Sequence, residues 1–131
     1  GSYKTNIKSL IHDLKSLISS SKRLPIEYAR DSYVIVGSRS HMSVETEMFF
    51  EDMKKEYGNI EVMSVGSSLK LCMVAEGRAD AYPRYAPTME WDTGAGHAIA
   101  KFAGFSVKQY NSMNDVVYNK EDLLNPWFLV K

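Results

Sequence analysis

At 131 residues and 14.8 kDa the chain is long enough for one hydrophobic core and too short for two full-sized domains. Hydrophobic residues make up 44% and charged residues 24%, an ordinary globular balance that excludes disordered, collagen-like and coiled-coil classes. Sixteen Lys and Arg offset sixteen Asp and Glu, so no global field draws a nucleic acid polymer or an anionic membrane, and any anion site must be local.

Gly1-Ser2 reads as a cloning scar, and no signal-peptide stretch follows it, so the chain is expected to be an excised piece of something longer. Behind Asn6, the apolar residues Ile7, Leu10, Ile11, Leu14, Leu17 and Ile18 recur at three- and four-residue spacing. They predict an amphipathic helix that packs on the core and ends near Ser19-Ser20-Ser21. A connector around Pro25 leads to the β-branched run Tyr33-Val34-Ile35-Val36, a buried strand. The expected division is therefore a helix and connector over 3–32 and a folded domain over 33–131.

Gly37 to His41 reads as a loop, after which Ser43 caps a helix carrying Phe49, Met53 and Tyr57 on one face and stopped by Gly58. Ile60 to Val65 is a second strand. Gly66-Ser67-Ser68 turns into an apolar helix from Leu69 to Ala75, ended by Gly77. Ala79 to Tyr82 is strand-like, and past Pro83 to Pro87 Asp92 is expected to cap a small-residue helix running to about Ala103, closed by Gly104. Phe105 to Gln109, Val116 to Tyr118 and Phe128 to Val130 are further strand candidates. Alternating strands and helices predict a layered α/β/α domain with a mixed sheet of about five strands.

Metal-ligand spacing of the zinc or calcium type is absent: there is no Cys pair, no His-Glu-x-x-His and no acidic loop. The lone Cys72 excludes an internal disulfide, and no apolar run approaches the roughly 18 residues of a membrane span, so a reducing, cytoplasmic compartment is expected. Gly94-Ala95-Gly96 follows Trp91-Asp92 inside a helical segment rather than an apolar strand, which rules out a dinucleotide turn. A thiol–imidazole pair of Cys72 and His41 is disfavoured because Cys72 sits on an apolar helix face.

The stretch GSSLKLCMVAEGRADAYPR, followed by WDTGAGHAIAKFAG, preceded by SRSH and ending in LNPWFLV, resembles the C-terminal half of the inositol monophosphatase superfamily. Within it the likeness is to the CysQ-type 3'(2'),5'-bisphosphate nucleotidases, from about Tyr33 onward. The resemblance implies a magnesium-dependent, lithium-sensitive phosphatase that hydrolyses adenosine 3',5'-bisphosphate to AMP and phosphate, with Asp92 as a Mg2+ ligand. It also implies that His41, Ser67, Lys70 and Arg84 contact the nucleotide or its 5'-phosphate, and that Gly94 to Gly96 let substrate and metal approach the first helical turn. The plainer alternatives are an N-cap role for Asp92, a loop hydrogen bond for His41 and solvated surface charges for Lys70 and Arg84.

The family's remaining metal ligands, a Glu and an Asp-Pro-Leu/Ile-Asp-Gly-Thr element, have no counterpart, since the sequence contains neither Asp-Gly nor Asp-Pro. The chain alone is therefore expected to be inactive, with the missing N-terminal half as its partner and a small nucleotide bisphosphate as substrate. Inositol monophosphatase activity and a non-catalytic nucleotide-binding domain are the alternatives. A peripheral place at the inner face of the membrane stands as an alternative to a freely cytoplasmic one.

Overall fold

The computed structural model describes residues 1–6, 13–37 and 42–131. In chain order the elements are β1 (Tyr3–Lys4), α1 (Leu14–Ser19), β2 (Lys22–Arg23), β3 (Tyr33–Gly37), α2 (Val44–Tyr57), β4 (Ile60–Ser64), α3 (Leu69–Glu76), β5 (Tyr82–Arg84), α4 (Glu90–Ala103), β6 (Val107–Gln109) and β7 (Phe128–Val130).

The apolar run at Val34 becomes β3, paired in parallel with β4 from Tyr33 opposite Ile60 to Gly37 opposite Ser64. On the other side, β7 lies between β5 and β6 and is antiparallel to both. A parallel bridge between Ile35 and Ala81 joins the two ladders, and Val36 N–H donates to the Ala81 carbonyl at 2.9 Å. The strands thus follow in the order β4–β3–β5–β7–β6, a mixed sheet that is parallel at one edge and antiparallel at the other.

Strand periodicity assigns the layers, because successive side chains leave a strand on opposite faces. Val34 and Val36 enter the main core with Leu71 and Val74 of α3, Ala100 of α4, and Phe128 and Val130 of β7. Tyr33 and Gly37 face the other way: the Tyr33 ring stacks on Tyr57 of α2 at 4.1 Å, and a Cβ on Gly37 would lie 3.2 Å from the Phe50 ring. Helix α2 therefore covers one face of the sheet and α3 with α4 the other, giving the expected α/β/α layering.

Ser43 caps α2 by accepting from Thr46 N–H, as the sequence indicates. Helix α3 ends at Gly77 with φ 86°, where a Cβ would sit 2.4 Å from the Ile26 carbonyl oxygen; only glycine allows the connector to pass there.

Two expectations change. The cap of the first helix is Asp13, in extended conformation and accepting from Ser16 N–H at 2.8 Å, so α1 begins at Leu14 and does not run unbroken from Asn6. None of its residues is buried; Ile7, Leu10 and Ile11 lie outside the described residues. The segment 116–118 is not a strand, because among the described residues its one backbone–backbone hydrogen bond is Val116 N–H to the Val107 carbonyl, beside the Asp115–Lys108 bridge. The N-terminal segment is tied to the domain through several contacts. β1 and β2 pair, Lys4 and Tyr28 both engage Glu76, and Arg30 forms a two-pronged ion pair with Asp80 at 2.9 and 3.0 Å.

Candidate functional site

The starts of α3 and α4 line one cavity of about 500 Å3, which also takes in the end of β5. It brings together Ser67, Lys70, Arg84 and Asp92, four of the five residues expected from the sequence, and adds Tyr82, Thr88, Trp91 and Thr93. His41, the fifth, lies outside the described residues.

Lys70 is only 9% exposed, so it is not a solvated surface lysine. Its Nζ donates to the Ser67 carbonyl at 3.4 Å and stands 5.6 Å from the centre of the Tyr82 ring. Burial, with the nearby Arg84 charge as the smaller cause, pushes its pKa below the usual lysine value. Arg84 Nη2 donates to the Pro87 carbonyl at 3.0 Å, while Nε is buried with no hydrogen-bond partner among the described residues. Two cations sharing a partly dry pocket, one with an orphaned donor, form an arrangement that an anion relieves.

A second cavity, of about 360 Å3, lies against Gly37, Ser43 and Thr46. Lys70, Tyr82 and Arg84 line both cavities, so these three side chains form the partition between them.

Asp92 is not the N-cap of α4. Met89 holds that position, and Asp92 is the third helical residue, its Oδ2 accepting from Met89 N–H at 2.9 Å. Oδ1 has no partner among the described residues, and the side chain is exposed at the cavity. The capping and ligand readings are thus compatible, since one oxygen serves the helix and the other faces no protein donor. The nearby Glu90 is spoken for: its carboxylate accepts from the backbone N–H groups of Asn119 and Lys120 and pairs with Lys120 Nζ, which lowers its pKa.

Gly96 of α4 serves packing. A Cβ on Gly96 would lie 2.7 Å from Leu71 Cδ1, and one on Gly94 would meet only the Tyr118 ring, at 3.7 Å. Glycine at 96 lets α4 close on α3, and that approach brings both helix starts to one cavity.

The first turn of α4 is held by residues to which the sequence assigned no role. Asn125, from the Leu-Asn-Pro-Trp run, donates Nδ2 to Thr93 Oγ1 at 2.9 Å, to the Met89 carbonyl at 2.8 Å and to Thr88 Oγ1 at 3.2 Å. Tyr118 donates its hydroxyl to Thr93 Oγ1 at 3.3 Å and meets His97 Nδ1 at 2.9 Å. The signal lay in a conspicuous polar residue inside an apolar C-terminal strand entry, but long-range partners at this distance in sequence carry no local pattern.

Half-burial raises the thiol pKa of Cys72, with the Glu76 charge as the smaller cause, the reverse of what a nucleophile requires. Among the described residues no cluster of three His, Cys, Asp or Glu side chains could hold a metal ion. Asp92 Oδ1 is a hard oxygen donor of the type magnesium takes, so the residues present fit one position of a magnesium shell.

The inositol monophosphatase family matches residues 13–126. The chain belongs to that family. CysQ from Bacteroides thetaiotaomicron, a bacterial member of the inositol monophosphatase family whose crystal structure is known, is 53% identical and superposes with a TM-score of 0.87 over 98% of this chain and 49% of that one. The curated 3'(2'),5'-bisphosphate nucleotidase CysQ of Escherichia coli K12 is 40% identical over 109 residues, 83% of this chain and 42% of the relative. Inositol monophosphatase-II from Staphylococcus aureus MSSA476 shares the fold alone, at 14% identity and a TM-score of 0.59, over 81% of this chain and 38% of that one. The family likeness therefore extends ahead of Tyr33, to residue 13. The chain spans less than half the length of these relatives.

Proposed function

We propose that this chain is the nucleotide-binding half of a magnesium-dependent 3'(2'),5'-bisphosphate nucleotidase that converts adenosine 3',5'-bisphosphate to AMP and phosphate. The observation that carries the proposal is the partition: Lys70 and Arg84 line two adjoining cavities at once, of about 500 and 360 Å3. A substrate with two phosphates can place one on each side of a shared pair of cations, whereas a monophosphate uses only one side. The names of the CysQ relatives support the same choice over inositol monophosphatase activity and over a non-catalytic nucleotide-binding domain.

Each residue then has a task. Lys70 supplies a point charge and Arg84 a planar fork for phosphate oxygens. Asp92 offers Oδ1 to the cation, held in place by its own bond to Met89 N–H. Magnesium held there in the complete protein supplies charge neutralisation for the transferring phosphoryl group and acidifies a water. With one carboxylate on the cavity, the isolated chain binds the nucleotide but does not turn it over. The lone Cys72 supports a cytoplasmic place for the enzyme, and among the described residues no helix is long and apolar enough to cross a membrane.

Calorimetric titration of this chain with adenosine 3',5'-bisphosphate, AMP and inositol monophosphate tests the reading. The bisphosphate is expected to bind at least tenfold more tightly than either monophosphate. Equal affinities, or no binding of the nucleotides, would sink the proposal, and phosphate release by the pure chain in magnesium would sink the claim of an incomplete site.

A further inference from the structure

Asn125 is 4% exposed, and its Oδ1 is buried with no hydrogen-bond partner among the described residues, an arrangement that folded proteins ordinarily avoid. Its Nδ2 protons, meanwhile, go to acceptors that have other donors. The Met89 carbonyl also accepts from Asp92 N–H at 3.0 Å, and Thr93 Oγ1 also accepts from the Tyr118 hydroxyl. Satisfying its neighbours therefore does not explain a buried amide that leaves its own acceptor orphaned.

The amide holds a stretch of backbone instead. Asn125 N–H donates to the Thr88 carbonyl at 2.8 Å, which fixes the peptide between Thr88 and Met89, while Nδ2 fixes the peptide between Met89 and Glu90. One residue thus grips both peptides that flank Met89 and sets its φ of −100° and ψ of 160°. The first of those planar peptides carries the Met89 N–H that binds Asp92 Oδ2 at 2.9 Å.

We propose that Asn125 is a positioning residue for the cation ligand: through Met89 it holds Asp92 Oδ2 against the start of α4 and so presents Oδ1 to the cavity. The inference rests on the reading of Asp92 given above. Partners that orient a ligating carboxylate matter to the metal, and losing one costs a complete site about ten- to a hundredfold in affinity or activity. Here the orienting bond is relayed through a main-chain amide, so the residue that sets it stands 33 positions away in sequence from the ligand it serves.

Mn2+, a paramagnetic cation that takes the same oxygen ligands as Mg2+, tests this by nuclear magnetic resonance on this chain. The wild type is expected to show relaxation enhancement at the amides of 91–93, and Asp92→Asn to abolish it. Asn125→Ala should reduce that enhancement about threefold or more, a part of the loss a complete site would suffer. It should also move the Met89 amide proton upfield as the bond to Asp92 weakens. Enhancement beside Glu51 and Asp52, exposed on α2, should stay the same. Val116→Ala, a core truncation at a residue 4% exposed, should lower the melting temperature and leave the enhancement at Asp92 intact. Asn125→Thr, close in volume but an atom short of the Met89 carbonyl, carries the same expectation and serves if the alanine variant does not fold. An enhancement at Asp92 that survives in the Asn125 variants overturns the inference. So does a loss that Val116→Ala reproduces, which would trace it to lowered stability. A wild-type chain without enhancement at Asp92, or an Asp92→Asn chain that keeps it, removes Asp92 as a ligand and the inference with it. Loss in Asp92→Asn without loss in Asn125→Ala leaves the ligand standing and defeats the positioning role alone.

Discussion

Gly96 of α4 and Leu71 of α3 are in such close contact that a Cβ on Gly96 would lie 2.7 Å from Leu71 Cδ1 and 2.9 Å from Leu71 Cβ. Leu71 is 1% exposed and cannot swing into solvent. Gly96→Ala therefore sets an overpacking cost of about 1–3 kcal/mol against a helix-propensity gain of about 1 kcal/mol. Net destabilisation of about 0–2 kcal/mol is expected on these terms, read by urea unfolding. Because the helices must separate to admit the methyl group, nucleotide affinity should fall as well. An alanine variant that is more stable than the wild type would mean that the helices are not held at this distance.

Arg84→Ala removes one of the two cations in the partition. A charge-assisted hydrogen bond contributes about 1.5–3 kcal/mol, or roughly ten- to a hundredfold in binding. Adenosine 3',5'-bisphosphate should lose that factor, and AMP should lose distinctly less. An equal loss on both ligands, or none, would remove Arg84 as a reader of the second phosphate.

Asp92→Asn keeps an oxygen acceptor for Met89 N–H and loses the charge that faces the cavity. Stability should change by no more than about 1 kcal/mol, the scale of a charge at a helix N-terminus. In the complete polypeptide, turnover at saturating magnesium should fall by orders of magnitude, since an amide is a poor substitute for a carboxylate ligand. Unchanged turnover would take Asp92 out of the metal site.

His97 makes stability depend on pH in a stated direction. Burial is the main cause that holds its pKa below the ordinary 6.5, reinforced by Lys101 and opposed by Asp115. As pH falls through about 6.5, the unfolded ring gains a proton that the folded ring refuses, so unfolding takes up protons and stability declines. The denaturation midpoint of the wild type should therefore fall between pH 7.5 and 5.5. His97→Asn retains a polar partner for Tyr118 without titrating, and its profile should be flatter over that window. Parallel profiles for the two proteins would locate the pH dependence elsewhere.

What the sequence determined by itself was local or ordered along the chain. The run Tyr33 to Val36 specifies a buried strand through β-branched bulk, Ser43 and Gly58 delimit α2 through side-chain capping and a positive-φ backbone, and the ordered motifs around Ser67, Lys70, Arg84 and Asp92 mark the cavity. Tertiary structure alone decided the rest. Apolar spacing around Leu14 cannot reveal that no residue of α1 is fully buried, because burial depends on a second surface that sequence periodicity does not encode. Gly96 of α4 makes room for Leu71, a role the sequence does not reveal, since a glycine's neighbour is set by how two helices cross. Asn125 supports the first turn of α4 from more than thirty residues away, and Lys70 and Arg84 share two cavities only because α3 packs beside β5. Contacts of that range arise when the core closes, and no local pattern records them in advance.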